Sequence, residues 1–280
     1  MIVLKGADVS AKLKEQVGEI LSNLDGYVPR AAIVRVGERP DDLSYERGAM
    51  KKLAAFGMEA VSYAFPADIT EEDFEREFQA INENPEIDGI LLLRPLPAQL
   101  NEAAAERMIR PEKDLDGISP INTAKVFAGE EDGFAPCTAE AVVETLKASG
   151  IVISGKRAVI VGRSMVVGKP LSMLLLKENA TVTVCHTKTR DLEAVCREGE
   201  ILVAAAGKAG MLDAKYVREN AVVIDVGINV NEDGKLCGDV KWDGLEEKAA
   251  AATPVPGGVG AVTTAVLARH LAAAAVRRRS

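Results

Sequence analysis

Histidine is nearly missing: the chain of 280 residues has two, His186 and His270. Histidine is the usual general base of a nucleophile triad and a common metal ligand, so a Ser-His-Asp hydrolase would have to use one of these two. His270 sits in the alanine-rich helical stretch AVLARHLAAAAV and reads as a packing residue. Cysteine is sparse as well. Cys137, Cys185, Cys196 and Cys237 include no C-x-x-C pair, which fits reduced thiols in a cytoplasmic protein and gives no reason to expect a disulfide or a bound metal. Positive charge is in deficit, 34 Lys and Arg against 42 Asp and Glu for a net charge of -8. That balance speaks against a nucleic-acid partner, which needs Lys and Arg clustered across a face. The one basic cluster, Arg277-Arg278-Arg279, ends the chain and reads as a solvated tail. The start, MIVLK, becomes charged within five residues, unlike the apolar core of a signal peptide. No run is read as a membrane span, so no membrane partner is expected.

What is there is regular alternation. Strands are expected at 31–36, 59–65, 89–93, 157–161, 181–185, 201–205 and 221–226, and helices near 10–24, 43–56, 70–83, 101–108, 138–149, 168–179 and 190–197. Strand and helix in strict turn mean an α/β protein with parallel sheets covered on both faces. Between the third and fourth strands, RPEKDLDGISPINTAKVFAGEEDGFAPCT is rich in Pro, Gly, Asp and Asn. So long an irregular stretch is read both as functional and as a domain junction.

The strand RAVIVG runs into GRSMVVGKP, placing Gly162, Ser164, Gly168 and Pro170 ahead of an apolar helix. A glycine turn there lets the backbone approach a pyrophosphate at the helix N-terminus, although the spacing is not the standard G-x-G-x-x-G. The next strand ends at CHTKT with no acid for a ribose 2′-hydroxyl. His186, Thr187 and Lys188, with Arg163, instead suit a 2′-phosphate, so NADP is expected, with NAD possible. AAAGKAG and DVGIN follow two further strands, at the strand ends where open parallel sheets bind ligands. TPVPGGVGAVTTAVL, with Pro254, Pro256, Gly257, Gly258 and Gly260 before the last helix, reads as a backbone-lined ligand wall.

Taken in order, VGERPDDLSYERGAMKKLAAFGM, DGILLLRPLP, KDLDGISPIN, APCT, GRSMVVGKP, CHTKT, VIDVGIN, GDV and TPVPGGVGAVTTAVL make the chain resemble the methylenetetrahydrofolate dehydrogenase/cyclohydrolase family over essentially its whole length. The resemblance implies an N-terminal α/β catalytic domain and a C-terminal Rossmann-like parallel-sheet domain, with the last helix returning to the first and folate held between them. On this chain that gives a folate-binding domain at 1–136, joined by the helix 263–280, and a dinucleotide domain at 137–262. It implies that Tyr45 and Asp116 serve the reaction, Tyr45 lining the folate and Asp116 holding the pterin, while Pro256, Gly257, Gly258 and Gly260 close the site. Gly162, Arg163, Ser164, Thr187, Ile228 and Thr263 are the implied cofactor contacts. A tetrahydrofolate derivative is the implied substrate and a cytoplasmic homodimer the implied assembly.

Two departures from the family pattern bear on the chemistry. The family's helix carries a lysine four residues past the tyrosine, the proton-handling residue of the cyclohydrolase step; this chain has Ala49. The family's strand ends VQLPLP, with a glutamine that partners the lysine; here LLRPLP puts Leu93 at that position and Arg94 beside it. Asp42 stands where the family has serine. Oxidation of the methylene bridge passes a hydride and needs mainly alignment, since the bridge nitrogens stabilise the cation. Hydrolysis of the methenyl product needs a general acid/base, whose contribution is typically about a hundredfold to ten-thousandfold. Lys51 lies about 240° around an ideal helix from Tyr45; Lys52 returns near that face but about 10 Å further along the axis. The expectation is an NADP-linked dehydrogenase with weak or absent cyclohydrolase; the alternatives are a bifunctional enzyme and a catalytically silent folate or nucleotide binder.

Overall fold

The computed structural model describes residues 1–279. The chain packs as two compact units, one built from Leu13–Cys137 with the chain from Thr264 on, the other from Met1–Lys12 with Thr138–Thr263. It opens with β1 (Ile2–Val3) and α1 (Gly6–Ser22).

The first unit contains β2 (Arg30–Val36), α2 (Pro40–Ala55), β3 (Glu59–Phe65), α3 (Glu71–Glu83), β4 (Gly89–Leu92), α4 (Glu102–Met108) and α5 (Pro120–Ala128). Its sheet is parallel in the order β3-β2-β4. The central strand β2 has Ala31, Ala32, Ile33 and Val34 all buried, as a parallel strand covered on both faces must. Ala32, Val34, Ile90 and Leu92 pack with Phe74 and Phe78 of α3, whose rings stack 5.5 Å apart. Thr70 caps α3, accepting the Asp73 N–H at 3.1 Å, and three acids fill the first turn, where the helix dipole favours them. Beyond β4 the backbone at Asp114 pairs in parallel with Ile90, through Ile90 N–H to Lys113 O at 2.6 Å and Leu115 N–H to Ile90 O at 3.1 Å. That pairing lays the KDLDG segment along the sheet edge.

The region read as irregular holds the nine-residue helix α5. Its ends are marked: Ser119 caps it by accepting the Asn122 N–H at 3.2 Å, Pro120 takes the first turn, and Gly129 ends it at φ 75°. The arginine tail also differs from expectation. Arg277 stacks over the Phe134 ring, Arg278 donates to the Ile87 carbonyl and to Asp88, and Arg279 lies over the Tyr27 ring. Acceptors and aromatic faces of the same unit hold these cations, so they anchor the last helix instead of trailing in solvent. That helix, α9 (Val259–Arg279), is long and apolar enough to cross a membrane by composition, contrary to the sequence reading, yet that stretch is 67% buried within the protein, as a core helix is.

The second unit carries α6 (Cys137–Ala148), β5 (Arg157–Val161), α7 (Gly168–Lys177), β6 (Thr181–Cys185), α8 (Leu192–Cys196), β7 (Ile201–Ala204), β8 (Val222–Asp225), the antiparallel pair β9 (Asn229–Val230) and β10 (Leu236–Cys237), and β11 (Ala251–Ala252). Its six-stranded sheet is parallel throughout, in the order β1-β11-β8-β7-β5-β6. β1 therefore belongs to this sheet, whereas the sequence division puts residue 1 onward in the first domain. The strand order reverses at β5, with β6 on one side and β7 on the other, and an open α/β sheet binds its ligand outside such a switch point.

Candidate functional site

Each unit has its own cluster of site residues. In the first, α2 starts at Pro40 and is braced by a two-pronged bond from Arg39 to Asp42, at 2.8 and 2.7 Å. Arginine thus occupies Asp42, the residue standing at the family's serine position. Tyr45 follows one turn on. Burial raises its phenol pKa well above the ordinary value, helped by the neighbouring Asp116 and Cys137, so Tyr45 serves as a neutral hydroxyl. Ala49, one further turn along, is 0% exposed. Beside it in the helix, Glu46 pairs with Arg35 at 2.8 Å while its Oε1 is buried without a partner among the described residues. Leu93, just past β4, is buried too, and Arg94 bonds Glu106 at 2.5 Å. Lys52 sits with its ammonium 5.8 Å over the Phe56 ring.

The two aspartates of KDLDG divide their work. Asp114 is fully buried and accepts the N–H groups of Ile118 at 3.0 Å and Ser119 at 2.8 Å, plus the Asn122 amide at 2.9 Å, so it shapes the turn. Asp116 is half-buried and accepts the Cys137 N–H at 2.9 Å. Desolvation pushes its pKa up, the Cys137 bond opposes that, and Asp114 adds to the rise. Behind it, His270 bonds the Leu115 carbonyl at 2.8 Å, as a packed structural histidine. The structure thus brings Tyr45 and Asp116 together, while Ala49 and Leu93 are both buried apolar side chains.

In the second unit the turn after β5 is tightly drawn. A Cβ on Gly162, whose φ is 145°, would lie 2.1 Å from the Ala205 carbonyl oxygen, and one on Gly168 would lie 2.1 Å from that of Gly162. Only glycine permits this approach, and it leaves Arg163 and Ser164 exposed, Ser164 accepting the Val167 N–H at 3.1 Å. After β6, His186 Nδ1 accepts the Lys188 N–H at 3.1 Å and Thr189 Oγ1 accepts the His186 N–H at 2.8 Å, leaving Thr187 and Lys188 exposed. No carboxylate ends β6, and the glycine cradle with cations nearby fits a phosphorylated dinucleotide. Ile228, after β8, is 68% exposed. Thr263 is buried and its hydroxyl donates to Val259 O at 3.3 Å within its own helix. Pro256, Gly257 and Gly260 are exposed and Gly258 is buried in the turn before α9. Among the described residues no group of His, Cys, Asp and Glu is arranged to hold a metal.

Sequence reasoning assigns no role to Asp225 and Asp239, yet both are buried where the turns after β7 and β8 meet. The signals available are that both lie in motifs of the family resemblance, VIDVGIN and GDV, each with a glycine within two residues of the aspartate.

Comparison with known proteins adds the family. The model for the tetrahydrofolate dehydrogenase/cyclohydrolase catalytic domain matches residues 4–116, and that for its NAD(P)-binding domain matches 136–279. A protein named bifunctional protein FolD from Alkaliphilus oremlandii is 52% identical over 272 residues, 96% of this chain and 95% of that one. One of the same name from Clostridioides difficile is 48% identical over 271 residues, 96% and 94% of the two chains. The crystal structure of the bifunctional methylenetetrahydrofolate dehydrogenase/cyclohydrolase from Campylobacter jejuni superposes with a TM-score of 0.95 at 36% identity, covering 99% of both chains. The Trypanosoma brucei enzyme, solved with NADP and an inhibitor, gives 0.90 at 35% identity, covering 99% and 98%.

Proposed function

The chain belongs to the tetrahydrofolate dehydrogenase/cyclohydrolase family and is an NADP-linked methylenetetrahydrofolate dehydrogenase; from that premise we propose that its second family activity, hydrolysis of the methenyl product, is weak or absent. The observation that carries this reading is the pair Ala49 and Leu93, both buried and both apolar, where the family resemblance expects a proton-handling lysine and its glutamine. Lys52 lies about two turns beyond Tyr45, with its ammonium 5.8 Å over the Phe56 ring, which argues against its standing in for that lysine.

The dehydrogenase step loses nothing by this. NADP supplies the hydride acceptor; the chain's own residues bind and align. In this reading residues 1–136 with the helix from 263 hold the folate and 137–262 hold the dinucleotide. Tyr45 lines the folate as a neutral hydroxyl and Asp116 holds the pterin; Pro256, Gly257, Gly258 and Gly260 are the further substrate residues that the family resemblance implies. Gly162, Ser164, Ile228 and Thr263 lie along the dinucleotide, and Arg163 and Thr187 attend its 2′-phosphate. The methylene bridge gives up a hydride and its nitrogens take the positive charge, so no side chain must remove a proton. Hydrolysis differs: water loses a proton while a ring nitrogen gains one, and neither Ala49 nor Leu93 can relay it.

A second reading, the bifunctional enzyme, is favoured by the names of the relatives at 52% and 48% identity. One experiment separates the two. Purified protein is mixed with methylenetetrahydrofolate and NADP or NAD, and reduced cofactor and methenyl product are followed separately. Methenyl product that accumulates and then decays as in an enzyme-free control supports the proposal; product that vanishes as fast as it forms supports the bifunctional enzyme. The reading also takes the protein as a homodimer, on family likeness alone, and as cytoplasmic, on cysteines read as reduced thiols and an early-charged start as well; sedimentation of the purified protein tests the dimer.

A further inference from the structure

Two buried carboxylates in the second unit do nothing in the chemistry above, yet they hold the rim of the nucleotide sheet. Asp239 accepts four bonds: from Ala206 N–H at 2.6 Å and Gly207 N–H at 2.9 Å on Oδ2, and from Lys208 N–H at 2.7 Å and Asn229 Nδ2 at 2.9 Å on Oδ1. Asp225 accepts three: from Gly227 N–H at 2.9 Å and Asp239 N–H at 3.0 Å on Oδ1, and from Val240 N–H at 2.9 Å on Oδ2. One carboxylate therefore gathers three successive N–H groups of the turn after β7 and the side chain of Asn229 after β8. The other ties the start of that second turn to the backbone carrying the first carboxylate. Each acid fits because a glycine stands against it: a Cβ on Gly227 would lie 2.3 Å from Asp239 Oδ1, and one on Gly238 would lie 1.9 Å from Asp225 Oδ2.

The turns so clasped are the ones next to the glycine turn. Ala205 follows β7, donates its N–H to Val161 O at 2.9 Å and offers the carbonyl against which Gly162 is packed. Ile228 lies between Gly227 and Asn229, the two residues bonded to Asp225 and Asp239. Helix or sheet pairing would satisfy such N–H groups elsewhere; here a charged side chain aims them inward, at a strand-end rim where free N–H groups would otherwise choose their own direction.

We infer that Asp239, seconded by Asp225, is a positioning residue for NADP, setting the turns 205–208 and 226–229 against the Gly162 turn so that the cofactor meets a preformed rim. It touches no substrate and acts through Ala206, Gly207, Lys208 and Asn229. The inference rests on the NADP reading above.

The test compares wild type with Asp239→Asn and Asn229→Ala. Asp239→Asn keeps the size but turns an N–H pair toward backbone donors, and Asn229→Ala removes one bond from a half-buried residue at the start of β9. NADP binding to the purified proteins is measured by fluorescence titration, alongside KM for NADP and for methylenetetrahydrofolate. Wild type that binds no NADP would sink the cofactor reading itself, separately from this inference. Given wild-type binding, Asp239→Asn is expected to raise the Kd and KM for NADP about tenfold to a hundredfold, and Asn229→Ala about threefold, with the folate KM changed less than about twofold, as for a supporting residue that displaces binding groups. A merely structural role would lower Tm and the active fraction and leave the NADP Kd of the folded protein alone. An unchanged NADP Kd in Asp239→Asn overturns the inference; if that variant does not fold, an unchanged Kd in Asn229→Ala does so.

Discussion

Introducing the pair that the family resemblance implies, as Ala49→Lys with Leu93→Gln, tests the proposed loss of hydrolysis from the opposite side. The cost follows from burial. Ala49 is 0% exposed, so three further methylenes and an ammonium enter a packed site, an overpacking worth about 1–3 kcal/mol. Leu93, buried as well, forfeits about 1.5–3 kcal/mol of apolar burial when an amide replaces it. One group offsets this: Glu46 lies three residues before position 49, on a neighbouring helix face, and its Oε1 is buried and unpartnered among the described residues. A lysine at 49 therefore has an acceptor within reach. The net is a loss on the order of 2–5 kcal/mol, or a Tm lowered by roughly 5–15 °C. Against it, a lysine that reaches the methenyl carbon's water gains up to about a hundredfold to ten-thousandfold in hydrolysis; tenfold is the least expected from an approximate graft. The assay is decay of methenyltetrahydrofolate absorbance with wild type, the double variant and no enzyme. Wild type that already speeds the decay, and loses this on Lys52→Ala, would refute the reasoning. So would a folded double variant with normal dehydrogenase turnover and no faster decay.

Other outcomes follow from the same geometry. Asp116→Ala is expected to raise the folate KM at least tenfold, or abolish turnover, while the NADP Kd stays within about twofold, as steady-state kinetics and titration would record. Arg163→Ala should weaken NADP more than NAD, and the wild-type preference should shrink with added salt, because a 2′-phosphate contact is charge-assisted and screened; equal kcat/KM for both cofactors in wild type would contradict this. Lys113 is buried, bonded to the carbonyls of Asn82 and Asn84 at 2.6 and 2.7 Å, with burial bringing its pKa down to about 8 from 10.5. Between those two values the unfolded lysine keeps its proton and the folded one has released it. Stability of wild type relative to Lys113→Met should therefore rise with pH across that window, by at most about 3 kcal/mol in denaturant titrations; a flat difference would refute the assignment. Cys196, pushed by burial up to about 12, Cys185, also raised, and buried Cys137 should resist alkylation near neutral pH, with half-buried Cys237 the one thiol labelled in a peptide map.

Periodicity, glycine turns and ordered motifs were enough to place the elements and the family. β3, β5 and β6 lie at the residues their apolar alternation marks, and Gly162 and Gly168 announce their close approach because no other residue could occupy it. Local signals reach that far because strand pattern and backbone strain are properties of neighbours in the chain. The absence of lysine at 49 is also legible in one dimension. Tertiary structure alone decided the rest. Nothing local assigns β1 to the second unit's sheet, since two residues carry too little pattern and their partners in β11 lie at the far end of the chain. The terminal arginines look like a tail until Asp88, Phe134 and Tyr27 are brought to them by the fold. Asp114 and Asp116 are two residues apart in one motif, and only packing makes the first a buried turn-former and the second a half-buried partner for Tyr45. Asp225 and Asp239 clasp one rim although fourteen positions separate them, for a carboxylate's role is set by the donors around it, and those come from wherever the chain returns.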